Sequence, residues 1–381
     1  MSDYIPLQVQ SETTKIRMLD HIPLEIKSEI IKKLPVKSLI QFRSVSKTWK
    51  SLVDSSAFIA SYSSQQQHLL AYHDREHRYD SIVDDDTFPH QKVSVTIPVN
   101  QQKDYDIIGC SHGLLCLYGE FGRYVPRCKA IIWNISVRKA VTVVVPKMGV
   151  GLHKAFGFGV CCGTCDPKIV KITYNDTDLM TSNRWHAEVF SLSTGAWRRH
   201  GNPPRNSIQF LCFRIAVAVD GGLYWLAFNR IPIDGGFRSD NLIISFDLTS
   251  EEFGEVNLPD SLAECSHSSL SIFKLRESLV VHAFDFPCSV VWMMNDDVPK
   301  TFTKLFVINL PVCVIVRGFR KSGEPIYETV KEHQEIGGRL AVCEPNSKNM
   351  VDLGMDEAFS FSVFPYNETL LLLDKPDLNE F

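Results

Sequence analysis

The sequence lacks long hydrophobic runs. No apolar segment approaches the roughly 20 residues that a membrane-spanning helix needs, and the first fifteen residues lack the basic-then-apolar order of a signal peptide. These absences predict a protein of the cytoplasm and/or the nucleus that has no membrane partner. In such a compartment the 11 cysteines, an odd number scattered through the chain, favour reduced and buried thiols over disulfides.

An excess of charge of either sign is also missing. The 40 Lys and Arg residues and 44 Asp and Glu residues give a net charge of −4. The basic residues do not gather into the aromatic-containing stripe that is typical of nucleic-acid binding, so we expect no nucleic-acid partner. At 381 residues, of which 44% are hydrophobic and 22% charged, the chain can form a small module and one large domain with its own core.

Metal and cofactor patterns are scarce. Cys162 and Cys165 form a C-x-x-C pair, but no second Cys or His pair follows at the spacing of a zinc site. Gly157 and Gly159 with Gly163 differ in spacing from a dinucleotide-binding loop, and no βαβ pattern surrounds them. The sequence therefore predicts no metal and no cofactor.

Catalytic pairs are equally hard to find. Ser111 and His112 place a hydroxyl beside an imidazole, but adjacent residues of a strand point to opposite faces. We expect that these two side chains do not pair as a nucleophile and a base. No catalytic residue is predicted.

What the sequence does contain is a helical segment between Ile22 and Ala60. Apolar residues recur there at helical spacing in three short stretches, which are separated by Pro35 and by Ser46, a residue type that caps helices. Asp54 or Ser55 can start a final turn. A module of about forty residues rarely buries this much apolar surface alone. Either a partner covers it, or it is a helical cap on the rest of the chain.

Three stretches of this module resemble the F-box family: IPLEI at 22–26, LPVKSLI at 34–40 and VSKTWKSLV at 45–53. The start is Ile-Pro where Leu-Pro is commoner in that family, a change that keeps the apolar character. The resemblance implies docking on the Skp-type adaptor of a cullin-RING ubiquitin ligase. The residues to which it assigns this contact are Ile22, Pro23, Ile26, Ile30, Leu34, Pro35, Val36, Leu39, Val45, Trp49 and Leu52.

From about Asp106 onward, short β-type runs alternate with turn residues. An aromatic or apolar run that enters a polar turn recurs about every fifty residues; its copies are centred on Trp133, Phe190, Phe246, Trp292 and Cys343. A second motif, a turn that enters an apolar strand, has copies at Gly113, Gly222, Ser278, Glu324 and Thr369. Its missing copy would lie near the segment DPKIVKITY at 166–174.

Such a period of strands is the signature of a β-propeller, although a β-sandwich with coincidental spacing stays open. The same segments resemble the plant F-box-associated domain and the related kelch-type propellers, through SHGLLC at 111–116, FGFG at 156–159 and DGGLYW at 220–225. Trp133-Asn134-Ile135 departs from the usual Asn-Pro of that family. The tryptophans, including Trp197 and Trp225, are expected to anchor contacts between blades.

Loops on one rim of a propeller commonly bind ligands. If the loops of this chain converge, five arginines would give the rim a basic component that suits an acidic segment of a target protein, although ordinary solvated loop arginines fit the pattern as well. These candidate substrate-binding residues are Arg198, Arg199, Arg205, Arg230 and Arg238.

We predict an α+β chain, in which an N-terminal three-helix F-box is followed by a large all-β domain, a β-propeller of about six blades. The predicted division is a flexible lead at 1–20, the F-box at 21–64, a linker with the first propeller elements at 65–104 and the propeller at 105–376. The resemblance implies a non-catalytic substrate receptor of an SCF-type (Skp–cullin–F-box) E3 ubiquitin ligase. It would bind the adaptor, reach the cullin and RING subunits through that adaptor, and bind an unknown target. A propeller enzyme with a helical cap and a non-degradative scaffold are the alternatives.

Overall fold

The structure, a computed structural model, describes most of the chain. The predicted lead at 1–20 lies outside the described residues. The described residues are 23–62, 66–74, 76–96, 105–121, 127–147, 153–174, 185–201, 207–210, 215–234, 236–285, 288–309, 314–330, 338–343, 350–357 and 360–374.

The described N-terminal residues, 23–62, form a module of four short helices. They are α1 (Leu24–Ile31), α2 (Val36–Phe42), α3 (Lys47–Val53) and α4 (Ser56–Ser61). Pro23 and Pro35 directly precede α1 and α2. The Ser46 hydroxyl accepts a hydrogen bond from the Trp49 amide at 3.2 Å, and Ser55 does the same for Phe58 at 3.3 Å. These caps satisfy amides that a helix start would otherwise leave without partners, so the predicted breaks and starts are confirmed.

The rest of the described chain forms six antiparallel sheets. Blade 1 contains β1 (Gln67–His73), β2 (Arg78–Val83), β3 (Lys92–Val95) and the last strand, β25 (Phe361–Asn367). Blade 2 contains β4 (Asp106–Ser111), β5 (Leu114–Phe121), β6 (Arg127–Asn134) and β7 (Lys139–Val145). Blade 3 contains β8 (His153–Val160), β9 (Pro167–Tyr174), β10 (His186–Ser191) and β11 (Ala196–His200).

Blade 4 contains β12 (Ile208–Phe210), β13 (Val217–Val219), β14 (Gly222–Ile233), β15 (Gly236–Asp247) and β16 (Phe253–Asn257). The short helix α5 (Asp260–Ala263) and a 3₁₀ turn (His267–Ser269) follow it. Blade 5 contains β17 (Leu270–Leu275), β18 (Ser278–Asp285), β19 (Cys288–Met294) and β20 (Phe302–Asn309). Blade 6 contains β21 (Val314–Phe319), β22 (Pro325–Val330), β23 (Gly338–Cys343) and β24 (Met350–Glu357).

The six sheets are the blades of a β-propeller. The ring closes because β25 pairs with β1, in the register Leu70 opposite Phe364. The first strands β4, β13, β17 and β21 line a central channel together with β25. The predicted propeller is confirmed, and a β-sandwich is wrong.

The fifty-residue period matches the blades. The five residues on which the first motif is centred all lie on third strands: Trp133 on β6, Phe190 on β10, Phe246 on β15, Trp292 on β19 and Cys343 on β23. The predicted missing strand is β9. The copy at Thr369 is wrong, because residues 368–374, which are the described residues after β25, contain no strand.

The tryptophans lie between blades, as expected. Trp133 and Trp225 are fully buried in separate hydrophobic clusters, and Trp197 and Trp292 are partly buried against two others. Sheets that bury both faces against their neighbours hold each other in place. The propeller therefore provides a rigid base for whatever its two ends carry.

The two ends of the channel differ. The near face carries the turns between the first and second strands, such as Ser111–Gly113, and it lies against α4 of the helical module. Cys165, in the corresponding turn of blade 3, lies with its Sγ 3.8 Å from the Ala60 carbonyl oxygen. The far face carries the turns between the second and third strands and points away from the module.

Candidate protein-docking surface

The helical module exposes large apolar side chains. Ile26 and Ile30 lie one turn apart on α1 and are 52% and 55% exposed, and Val45, between α2 and α3, is 69% exposed. Residues four apart share one helix face, so the two isoleucines form a continuous apolar stripe. Exposed aliphatic groups this close together on a small module are typical of a surface that binds another protein.

Two side-chain contacts hold α2 and α3 together, and Trp49 makes the first of them. Its ring packs edge-on against Phe42 with 5.6 Å between the ring centroids, and the side chain is partly buried. Arg43 and Asp54 tie α2 to the end of α3, since Nε and Nη2 of the arginine donate to the two carboxylate oxygens at 2.5 and 3.0 Å. This bidentate pair fixes the angle between the helices.

The predicted adaptor residues divide by exposure. Pro23, Ile26, Ile30, Pro35 and Val45 are exposed. Leu34, Trp49 and Leu52 are partly buried, and Val36 and Leu39 are fully buried. Ile22 lies outside the described residues.

Full burial changes how Leu39 and Val36 are to be understood. Both side chains are 0% exposed in the core of the module, where they pack with Val53 and Phe58. They are not available as surface contacts in this structure. Their contribution is to hold the exposed residues in position, and a substitution there tests stability before it tests binding.

The other side of the module is covered by the chain itself. After β25 the chain runs beneath the helices, and Leu370 and Leu373 complete the core of the module, with Leu371 packed against it. Tyr62 donates to the Leu34 carbonyl at 2.8 Å. We call residues 368–373 the C-terminal strap. The apolar surface of the module is thus partly covered by the chain and partly left exposed at Ile26, Ile30 and Val45.

Asn134 attaches the strap to blade 2. This buried side chain donates to the carbonyls of Thr369 at 3.0 Å and Leu371 at 2.7 Å, while its Oδ1 accepts from the amides of Ser136 and Val137. The amide thus fixes its own turn, which does not need the proline of the usual Asn-Pro, and also holds the strap. Sequence reasoning had no signal for the second role.

Gly113 lies directly against the strap. Its φ is +75°, and a Cβ at this position would lie 2.2 Å from the Asn367 carbonyl oxygen and 2.7 Å from Thr369 Cγ2. Only glycine allows both this backbone conformation and this close approach. The motif SHGLLC therefore contains the glycine that lets the strap pass.

The two parts also match two family models. The model for the F-box domain matches residues 19–60, and the model for the F-box associated beta propeller domain matches residues 73–323. The chain belongs to the F-box-associated β-propeller family.

The curated relatives of this F-box protein are from Arabidopsis thaliana. The F-box protein At5g10340 is 27% identical over 316 residues, which cover 74% of this chain and 67% of that protein. The F-box protein CPR1 is 26% identical over 383 residues, which cover 92% and 88%. A third relative is matched over only 58% of its own length.

Solved structures with a similar fold include the fungal lectin of Aleuria aurantia, described as a six-bladed β-propeller with a fucose recognition mode. It has a TM-score of 0.39 and 10% identity, and the match covers 76% of this chain and 91% of the lectin. A likeness at this level carries no conclusion about the ligand or activity of this chain.

The described rim arginines lie at more than one level of the propeller. Arg198 forms an ion pair with Glu251. Glu251 lies in the turn after Asp247, at the near-face end of β15. Arg238 lies on β15 nine residues before Asp247. At the usual rise per residue, about 30 Å separates Arg238 from the near-face end of that strand. Arg198, through its partner Glu251, and Arg238 thus lie toward opposite ends of β15. A basic rim that joins all five arginines stays a prediction.

The other described candidates lie on blades 3 and 4. Arg238 is paired with Asp240 at 2.7 Å, and Arg230 stacks over Phe237 with 4.3 Å between its guanidinium carbon and the ring centroid. These residues lie on the long β14–β15 hairpin at the far face. Arg199 is exposed on β11, and Arg205 lies outside the described residues.

Ser111 and His112 do contact each other. The Ser111 hydroxyl lies 3.0 Å from His112 Nδ1, against the expectation that they point apart. The alternation rule for strands does not apply, because His112 adopts a left-handed conformation with φ of +49°. The same hydroxyl also accepts from the Val160 amide at 3.2 Å, which ties neighbouring blades together.

No helix in the described parts of the chain has the length and apolar character to cross a membrane. In the same parts, no group of three or more His, Cys, Asp or Glu side chains is placed to hold a metal ion. The nine cysteines that the structure describes are free thiols.

Proposed function

We propose that this F-box protein is the substrate-recognition subunit of an SCF-type E3 ubiquitin ligase. Its F-box docks on a Skp-family adaptor, which links it to the cullin and RING subunits, and its propeller binds a target protein for ubiquitination and proteasomal degradation. The exposed stripe of Ile26 and Ile30 supports this proposal most directly, because the strap covers other apolar side chains of the module and leaves these two, and Val45, exposed for a partner.

The exposed lysines of the module also support an adaptor-binding surface there. Lys33, Lys37, Lys47 and Lys50 are exposed on the module and form no ion pair with any residue that the structure describes. Cations around an apolar stripe favour an acidic partner by steering its approach. The apolar groups supply the binding energy, and the lysines supply orientation and association rate.

The chemical contribution of the receptor is proximity. Holding a target lysine near a ubiquitin thioester raises its effective concentration, and this needs no acid, base or nucleophile from the receptor. The strap between the F-box and blade 2 suits this role, since it fixes the direction in which the propeller presents its target. We therefore propose a non-catalytic subunit that acts in the cytoplasm and/or the nucleus.

Binding to the adaptor is tested with the full chain. A doubly substituted variant, Ile26→Asp with Ile30→Asp, removes the stripe without touching the core. We expect co-purification with a Skp-type adaptor and its cullin to fall at least tenfold, since buried hot-spot residues each contribute more than about 1 kcal/mol. Val298→Asp on blade 5 is the control, because Val298 is also a highly exposed aliphatic residue and lies outside the helical module.

Two outcomes contradict the proposal. Equal recovery of the adaptor by the wild type and the double variant would remove this surface from the interface. Failure of the wild type to bind any Skp-type adaptor would leave the helices as a cap. A scaffold role is distinguished afterwards, because a target of a scaffold keeps its half-life when the receptor is deleted, whereas a degradation target becomes longer-lived.

A further inference from the structure

A cavity of about 200 Å³ lies on the axis of the propeller. Its walls come from β13, β17, β21 and β25, and they include the aliphatic side chains of Val217, Ile272, Val316 and Val363. An engineered protein cavity of about 150 Å³ binds benzene. The channel therefore has room for one small ring with a short substituent.

The charged side chains among the described lining residues have one sign. They are Lys274 and Arg317, and no lining residue in the described part of the channel is an acid. Small polar groups, such as the hydroxyls of Ser271 and Ser362, interrupt the apolar wall. An apolar cavity with a few cationic groups and hydroxyls is the arrangement of a small-molecule site.

Lys274 lies at the near-face end of this cavity. It also lines the mouth that α4 covers, and so it marks the point where the channel meets the F-box side. Burial raises the pKa of the Cys110 thiol to about 12, and the positive charge of Lys274 acts against that rise. Cys110 belongs to blade 2, which is opposite blade 5 in a ring of six. Lys274 and Cys110 thus line the same cavity from opposite blades.

The existing partner of Lys274 is easily exchanged. Its Nζ lies 2.9 Å from the Glu277 carboxylate, and Glu277 is 82% exposed. An ion pair with so exposed an acid contributes little. A carboxylate that enters the channel can therefore replace Glu277 at little cost.

Arg317 adds a second, fixed cation. It lies at a β-bulge of β21, where the pairing with β22 shifts between Val316 and Gly318. Its Nε donates to Glu328 at 2.5 Å and its Nη2 to Ser360 at 2.6 Å. The buried Glu328 carboxylate therefore neutralises this guanidinium, and Lys274 is the cation that remains to anchor a ligand among the described lining residues.

We propose that the central channel binds a small carboxylic acid with one ring or a compact branched body. Its carboxylate pairs with Lys274 at the near-face end, and its apolar body lies against the valines and Ile272 of the channel wall. Bound there, the acid touches the inner strands of blades 1, 4, 5 and 6 and links them.

The test uses the full chain and ligands that differ only in charge. Benzoate and phenylacetate are titrated by calorimetry beside benzamide, which is neutral, and benzylamine, which is cationic. We expect the carboxylates to bind at least tenfold more tightly than benzamide and expect no binding of benzylamine, because a charge-assisted hydrogen bond exceeds a neutral one.

Lys274→Gln tests the anchor, and Lys300→Gln is its matched control. The two lysines are 30% and 32% exposed, and each pairs with an exposed acid on the same blade. Lys274→Gln should remove the preference for benzoate over benzamide, and Lys300→Gln should keep it. Identical affinities for the two variants would overturn the assignment.

Ala218→Leu tests the cavity, because Ala218 lines the channel and a larger side chain there fills it while both cations remain. Circular dichroism shows whether the variant is folded. Unchanged benzoate binding by folded Ala218→Leu would place the acid outside the channel, and no binding of either carboxylate to the wild type would exclude the site. Neither result depends on the adaptor, so the proposed ligase role is judged separately.

Discussion

The strap predicts that a residue far from the F-box in sequence controls its stability. Leu370 is fully buried, and it packs in the same cluster as Ile31, Leu39 and Phe58. Replacing a buried leucine by alanine removes its transfer free energy and leaves a cavity, at a cost of about 2–5 kcal/mol. We expect Leu370→Ala to lower the free energy of unfolding by that amount.

The assay is urea unfolding of the full chain, combined with hydrogen exchange. Because Leu370 lies between the F-box and the propeller, the amides of α2 and α4 should exchange faster, while those of blade 5 should keep their protection. Leu305→Ala is the control, since Leu305 is 37% exposed on the outer strand β20 and should cost less than about 1 kcal/mol.

Two results would refute this reasoning. A change below about 1 kcal/mol for Leu370→Ala would mean that the strap does not belong to the core of the module. Faster exchange spread evenly over all six blades would mean that the strap stabilises the closure of the ring and not the helices.

Two further predictions concern buried charges. Lys171 is 1% exposed, and its Nζ lies 2.5 Å from Glu188 Oε2. Glu188→Ala should therefore lower the free energy of unfolding in urea by about 3 kcal/mol. Glu277→Ala is the control, because it removes an exposed ion pair and should cost less than about 1 kcal/mol. A hydrogen bond with His73 lowers the pKa of Asp80 from 3.8 to about 2. The folded-state pKa is depressed, so this stability is present above pH 4 and is lost as the pH falls toward 2. Asp80→Asn should flatten the dependence of stability on pH in that window, and an unchanged slope would contradict the assignment.

The local patterns in the sequence predicted the elements well. Proline breaks and serine caps are short-range features, so Pro35, Ser46 and Ser55 indicated the helix boundaries directly. The third-strand motif recurs because every blade buries the same kind of strand against its neighbour. The copies at Trp133 and Phe246 therefore indicated the period of the blades without any knowledge of how the ring closes.

The contacts between distant segments could not be predicted. Residues 366–372 are apolar enough to resemble a strand, and their position against α2 and α4 follows only from the way in which β25 closes blade 1. The burial of Leu39 could not be predicted either, because the helical pattern of apolar residues does not show which side of the module the strap covers. Ser111 and His112 contact each other because of one left-handed residue, for which strand periodicity gives no signal.

The strap also affects the order of events during synthesis. Helices α1 to α4 leave the ribosome first, but Leu370 and Leu373 follow about 300 residues later, which takes roughly 15–60 s at common elongation rates. Until then the F-box lacks part of its core. A chain interrupted anywhere in the propeller therefore carries the whole F-box sequence without a finished F-box. Incomplete chains would therefore compete poorly for the adaptor. Only a chain that has been translated through the strap carries a finished F-box.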